Sequence, residues 1–132
     1  MTTTLQKLAG VFGVVFILGA VLGFISPGGM AMTVEPTTGM LLGIFPVNLL
    51  HNVVHLLFGI WGLVASRTWT GSRSYFKGAG IIYAVLTVVG FLSPTGFGLV
   101  PLGGNDIWLH VRLAVVMLAI GFTAKPVGTA TV

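Results

Sequence analysis

The sequence contains no cysteine. Disulfides, thiolate catalysis and cysteine-ligated metals are therefore excluded. Charge is also scarce. Only 6% of the 132 residues are charged, against roughly 25% in a soluble domain. So few charges cannot cover a water-facing surface. Acidic residues are fewest of all, Glu35 and Asp106 alone, which leaves a carboxylate-based proton or cation pathway few stepping stones. No Ser-His-Asp order, phosphate loop or paired carboxylate occurs with usable spacing, and GSRS at Gly71–Ser74 is too short for a phosphate loop. An enzyme is not expected. The net charge of +4 and the pI near 10.2 come from a handful of scattered side chains. They do not make the clustered basic face that nucleic-acid binding needs.

What is present is apolar. Hydrophobic residues make up 55% of the chain and mean hydropathy is +1.07. Four apolar runs stand out, about Leu5–Ile25, Leu41–Ala65, Tyr75–Leu92 and Asp106–Ala124. Each approaches the roughly 17 to 25 residues that cross a bilayer as a helix. Helix is required because backbone groups in hydrocarbon must bond within their own segment. Turn chemistry separates the runs: SPGG at Ser26–Gly29, TGSRS at Thr70–Ser74 and SPTGFG at Ser93–Gly98.

Basic residues set an expected orientation. Lys7 precedes the first run, Arg67, Arg73 and Lys77 lie between the second and third, and Lys125 follows the fourth. The other two connections hold Glu35 and Asp106 but no Lys or Arg. Both termini are therefore expected in the cytoplasm. The basic turn is expected to meet anionic headgroups, and Trp69, Tyr75 and Trp108 to anchor at the interfaces.

The chain repeats itself. GVVFILGAVLGFISPGG at Gly13–Gly29 aligns without gaps on GIIYAVLTVVGFLSPTG at Gly80–Gly96, an offset of 67. Further on, NVVHLLFG at Asn52–Gly59 lies over IWLHVRLA at Ile107–Ala114, which superposes His55 on His110. Two helices per unit give two copies inserted in the same sense, a parallel repeat. The first run resembles a signal peptide, with Lys7 ahead of it and small residues near Ala31. Its counterpart at Gly80–Gly96 is internal, so a retained helix is expected. The outer connection of repeat one, which includes MAMTVEPTTG at Met30–Gly39, is about 12 residues longer than its counterpart. Such an insertion is a place for partner contacts. FGLVPLGG at Phe97–Gly104 reads as a short interfacial lid. The expected fold is all-α: an integral membrane four-helix bundle of two tandem helical hairpins in one domain, residues 1–132, with repeats at about 5–65 and 75–124.

Asn48, His51, Asn52, His55 and Gly59 in the second run, GLVPLGGNDIWLH leading into the fourth, and the four-span length resemble the bacterial domain-of-unknown-function family 4383. The resemblance covers most of the chain. The family typically shows DNWLH where this chain has NDIWLH, with Ile107 in place of Asn. It implies the four-span fold and carries no activity.

The polar residues inside the runs are the functional candidates, since a charge there costs a few kcal/mol. His51 and His55 are four apart and share a helix face with Asn48 and Asn52. Asp106 and His110 are also four apart and can pair, whereas Arg112 projects elsewhere. One reading makes Asn48, His51, Asn52, His55, Asp106, His110 and Arg112 a hydrogen-bonded network that fixes helix register. A sharper one uses His51, His55 and His110 to hold a haem or a chlorophyll-type pigment. Three histidines form only a weak zinc candidate. The expected role is a non-enzymatic accessory, assembly or stabilising subunit in a bacterial cytoplasmic or thylakoid-type membrane, with the lipid bilayer and a respiratory or photosynthetic complex as surroundings and no nucleic acid. The alternatives are a haem- or pigment-binding electron-transfer or quenching subunit, and a small permease lined by the His/Arg cluster.

Overall fold

Local chemistry fixes where each helix starts. Thr3 and Gln6 form a reciprocal capping box that opens α1, Thr4–Ile25. The α1 helix stops at Ser26, just before Pro27, which cannot continue a helix. Asn48 caps α2, Leu49–Ala65, by accepting from the backbone N–H of His51. Thr68 caps α3, Trp69–Leu92, through Gly71 N–H. The last helix, α4, Asn105–Thr123, carries Asp106 in its first turn, where the helix dipole favours an acid. The computed structural model describes residues 2–34 and 38–126. Glu35, expected at the outer face, lies outside them.

The helices form a four-helix bundle in which α1 packs chiefly on α2, and α3 on α4. Three of them, α1, α3 and α4, are long and apolar enough to cross a membrane; α2 is apolar but shorter, at 17 residues. Val14 and Leu18 on α1, Leu57 and Ile60 on α2, Val85 and Val88 on α3, and Val115 on α4 all face outward. An apolar band on every side suits lipid and would be an aggregation surface in water. Inside, Phe16, Phe58, Tyr75, Phe76, Tyr83 and Met117 make the core.

The repeat is visible in three dimensions. A Cβ on Gly13 would lie 2.8 Å from the Leu63 backbone nitrogen, and one on Gly80 would lie 2.9 Å from that of Leu118. Gly23 abuts Asn52 as Gly90 abuts Ile107. The turns after α1 and α3 share three backbone bonds, for example Gly29 N–H to Ser26 O and Gly96 N–H to Ser93 O. Phe16 and Tyr83, equivalent positions, stack on each other with ring centroids 5.8 Å apart.

Two expected boundaries are corrected. The second run does not begin its helix at Leu41. Its first part is an antiparallel hairpin, β1 Gly39–Leu41 with β2 Phe45–Val47, paired Leu41 to Phe45. The turn needs left-handed backbone at Leu42 (φ 53°) and Gly43 (φ 69°). This hairpin fills much of the insertion in repeat one. Thr70–Ser74, expected as a turn, is the first part of α3, so the α2–α3 connection is only Ser66–Thr68. Tyr75 is accordingly no interface anchor. It is fully buried against Trp61 and Phe76.

Lys7, Arg67, Arg73 and Lys77 fall at the end of the bundle where α1 starts and α2 meets α3. There Gln6 Nε2 donates to Ser66 O (3.1 Å), and Arg73 Nε donates to Gly121 O (3.2 Å) at the carboxyl end of α4. A pair of substitutions tests the close packing. Gly13→Ala is expected to lower the melting temperature in detergent, losing about 1–3 kcal/mol to overpacking. Gly19→Ala, with nothing within 4 Å of its new methyl, is expected to leave it unchanged or raise it.

Candidate functional site

The polar residues converge where the first turns of α2 and α4 meet. The head of α2 holds down the connections that follow α1 and α3. Asn48 Nδ2 donates to Leu99 O (2.9 Å) and Asn52 Nδ2 to Gly29 O (2.9 Å), while His51 Nδ1 lies 3.4 Å from Pro101 O. Asn105 Nδ2 reaches Ile44 O in the β1–β2 hairpin at 3.3 Å. The hydrogen bonds of the asparagines therefore run from side chains to loop carbonyls, not between helices as a register network would require. Within Phe97–Gly104, Leu102 is buried and its N–H bonds Pro94 O, while Phe97 and Leu99 are exposed.

Beneath these ties sits a cluster of ionisable groups. Asp106 Oδ2 lies 3.3 Å from His110 Nε2, the expected i, i+4 pair, and 3.9 Å from His51 Nδ1. The first contact lacks hydrogen-bond geometry and the second is too long for one. Both carboxyl oxygens are thus buried without a hydrogen bond among the described residues. The His51 and His55 rings meet edge to face, centroids 4.3 Å apart, and His51 and His110 are 6.4 Å apart and near-parallel. The repeat shows here too: His55 packs on Phe16 as His110 packs on the equivalent Tyr83. His51 and Asp106 occupy equivalent positions, so the two halves place a base and an acid face to face.

Two cavities adjoin the cluster. One of about 80 Å³ is lined by His51, His55, Tyr83 and His110. The other, about 260 Å³, lies between α1, α4 and the β1–β2 hairpin and has His51, His55 and Asp106 in its wall. Small-molecule sites usually measure about 300–1,000 Å³, so neither takes a tetrapyrrole. The space between His51 and His110 is held by the Asp106 carboxyl, which leaves no plane for a macrocycle between the two imidazoles. Among the described residues no three His, Asp or Glu side chains are arranged to hold a metal ion. The three histidines are together, but their geometry does not fit a haem or chlorophyll-type ligand set.

Arg112 stands outside the cluster. It is exposed on the outer surface of α4 and lines neither cavity. Sequence reasoning also missed two buried polar groups. Ser72 is fully buried and bonds Ala65 O and Thr68 O, inside the stretch that reads as a turn. Tyr83 contacts His110, and the repeat alignment carried the signal: it sets Tyr83 on Phe16.

Fold and site together define a class of small apolar helical bundle with a buried imidazole–carboxyl cluster at one end. The family model Domain of unknown function (DUF4383) matches residues 6–123, and the chain belongs to that family. No curated protein and no solved structure shows a significant match to it.

The capping asparagine gives a direct test. Asn48→Ala removes the α2 cap and leaves the Leu99 carbonyl unpaired. It is expected to lower stability by about 1–3 kcal/mol in detergent melts and to open Phe97–Gly104 to limited proteolysis.

Proposed function

We propose that this protein is a non-enzymatic accessory or stabilising subunit of a larger assembly in a bacterial cytoplasmic or thylakoid-type membrane. The observation that carries the reading is Arg112. Seven residues into α4, it lies about 10 Å from the helix start, exposed amid the outward-facing Val115 and Val116. A guanidinium facing lipid at that depth is costly unless it snorkels or is paired. An acidic side chain or a row of backbone carbonyls on a neighbouring transmembrane helix pairs it best. The bundle's apolar outer surface supports the same reading, since a respiratory or photosynthetic complex offers partners within the bilayer. A permease built on the His/Arg cluster is disfavoured, because Arg112 faces away from both cavities.

The test is native electrophoresis of tagged protein from gently solubilised membranes of its own host. Wild type is expected in a discrete larger complex. Arg112→Leu is expected to melt normally yet run as the isolated chain. If wild type runs alone, or Arg112→Leu assembles as well as wild type, the reading fails. A Soret or chlorophyll absorbance band lost in the His55→Leu, His110→Leu double variant would replace it with a pigment-binding one.

The basic end is proposed to face the cytoplasm, with both termini there. The absence of native cysteine makes this easy to check with single introduced thiols. In intact cells a membrane-impermeant maleimide is expected to label Thr95→Cys and to spare Thr70→Cys, with the opposite pattern in inverted vesicles.

A further inference from the structure

The larger cavity has features that packing does not require. It is apolar through most of its wall, with Phe12, Phe16 and Phe45 among its lining. Val11, Val15 and Leu42 stand at its edge and are exposed on the outer, lipid-facing surface. It therefore opens towards acyl chains. Its wall includes Asp106, whose side chain is 1% exposed and whose two oxygens have no hydrogen bond among the described residues. His55, half-buried, lines the same cavity and makes ring contacts with Phe16 and His51. A buried carboxyl without a hydrogen bond is costly, and one in the wall of an apolar cavity has unused bonding capacity for something that enters it.

Size and chemistry narrow the occupant. A cavity of about 150 Å³ holds benzene, so about 260 Å³ takes a substituted ring and the first carbons of a tail. Flat aromatic walls favour a flat headgroup. A protonated carboxyl and a neutral imidazole in one cavity wall can both donate and accept, which matches a ring bearing carbonyl or hydroxyl oxygens. A ligand arriving through hydrocarbon is best uncharged.

We propose that the cavity between α1, α4 and the β1–β2 hairpin binds the ring headgroup of a membrane quinone or quinol, with Asp106 and His55 bonding a ring oxygen and the tail leaving past Val11 and Val15. The site is independent of the assembly reading above, since Arg112 takes no part in it. Binding alone is proposed, with no electron transfer. The β1–β2 hairpin supplies the outer wall, which gives the insertion in repeat one a role.

The test uses the purified full chain in detergent with three decyl-tailed probes: a 1,4-quinone, decanoic acid and decyltrimethylammonium. Binding is read as ligand-induced thermal stabilisation, which follows occupancy by mass action. The quinone alone is expected to raise the melting temperature saturably. Asp106→Leu is expected to weaken its apparent affinity about tenfold, the equivalent of one lost buried hydrogen bond. Gly19→Leu is the second variant. Gly19 lines the cavity and has nothing within 4 Å of an added Cβ, so the larger side chain fills the space while the bundle keeps its own stability. It is expected to abolish the quinone shift. The proposal is overturned if the quinone gives no saturable shift, if Gly19→Leu binds it like wild type, or if decanoic acid or the alkylammonium stabilises as well as the quinone.

Discussion

The bundle depends on how closely its backbones approach. Lipid surrounds the helices with a medium as apolar as their own side chains, so hiding leucines from it gains little. Attraction must come from dense contact over short distances. Gly13 provides it by resting against the main chain of α2 at Gly59, Gly62 and Leu63, and Gly80 does the same against Leu118 of α4. Any side chain at Gly13 would push the helices apart. The approach brings Phe16 and Tyr83 onto each other at the centre of the molecule. Because His55 rests on one ring and His110 on the other, the position of the imidazoles follows from the glycines.

Much of this was legible in the sequence, and what was not has physical reasons. The repeat of Gly13–Gly29 in Gly80–Gly96 foretold two helical hairpins, and α1 does pack chiefly on α2 and α3 on α4. The i, i+4 spacing of Asp106 and His110 foretold their contact. Leu41–Val47 misled because hydrophobicity alone does not separate strand from helix in a short run. The hairpin also turns on a leucine in a left-handed conformation that leucine rarely takes. Thr70–Ser74 misled in the opposite direction. Its Gly, Ser and Arg read as a turn, yet the Thr68 cap and the buried bonds of Ser72 hold it helical. The asparagines were recognised as polar groups within an apolar run, but their partners were not. Loop carbonyls carry no side-chain signature, so the bonds to Leu99 and Gly29 cannot be seen in a string of letters.

The two halves differ most where the polar chemistry lies. Their packing positions match closely. Among the departures are Asn52 against Ile107 and His51 against Asp106, together with the hairpin that only the first half has. These three lie at the end of the bundle that holds the cluster and its cavities. At the opposite end each half ties its own two helices together, through Gln6 to Ser66 in the first and Arg73 to Gly121 in the second. Duplicated geometry thus supplies the frame, and broken symmetry supplies the site.

The three-residue junction between α2 and α3 has a consequence for biogenesis. Each helical hairpin is rich in contacts local in sequence, and such contacts form early. The first hairpin leaves the ribosome before the second exists. Its head then carries Asn48 and His51, whose acceptors, the carbonyls of Leu99 and Pro101, belong to chain not yet made. Those side chains must stay at the wet surface of the bilayer until the second hairpin arrives. The second half then behaves towards the first as a tethered ligand, and its arrival is the step that dries the histidine cluster.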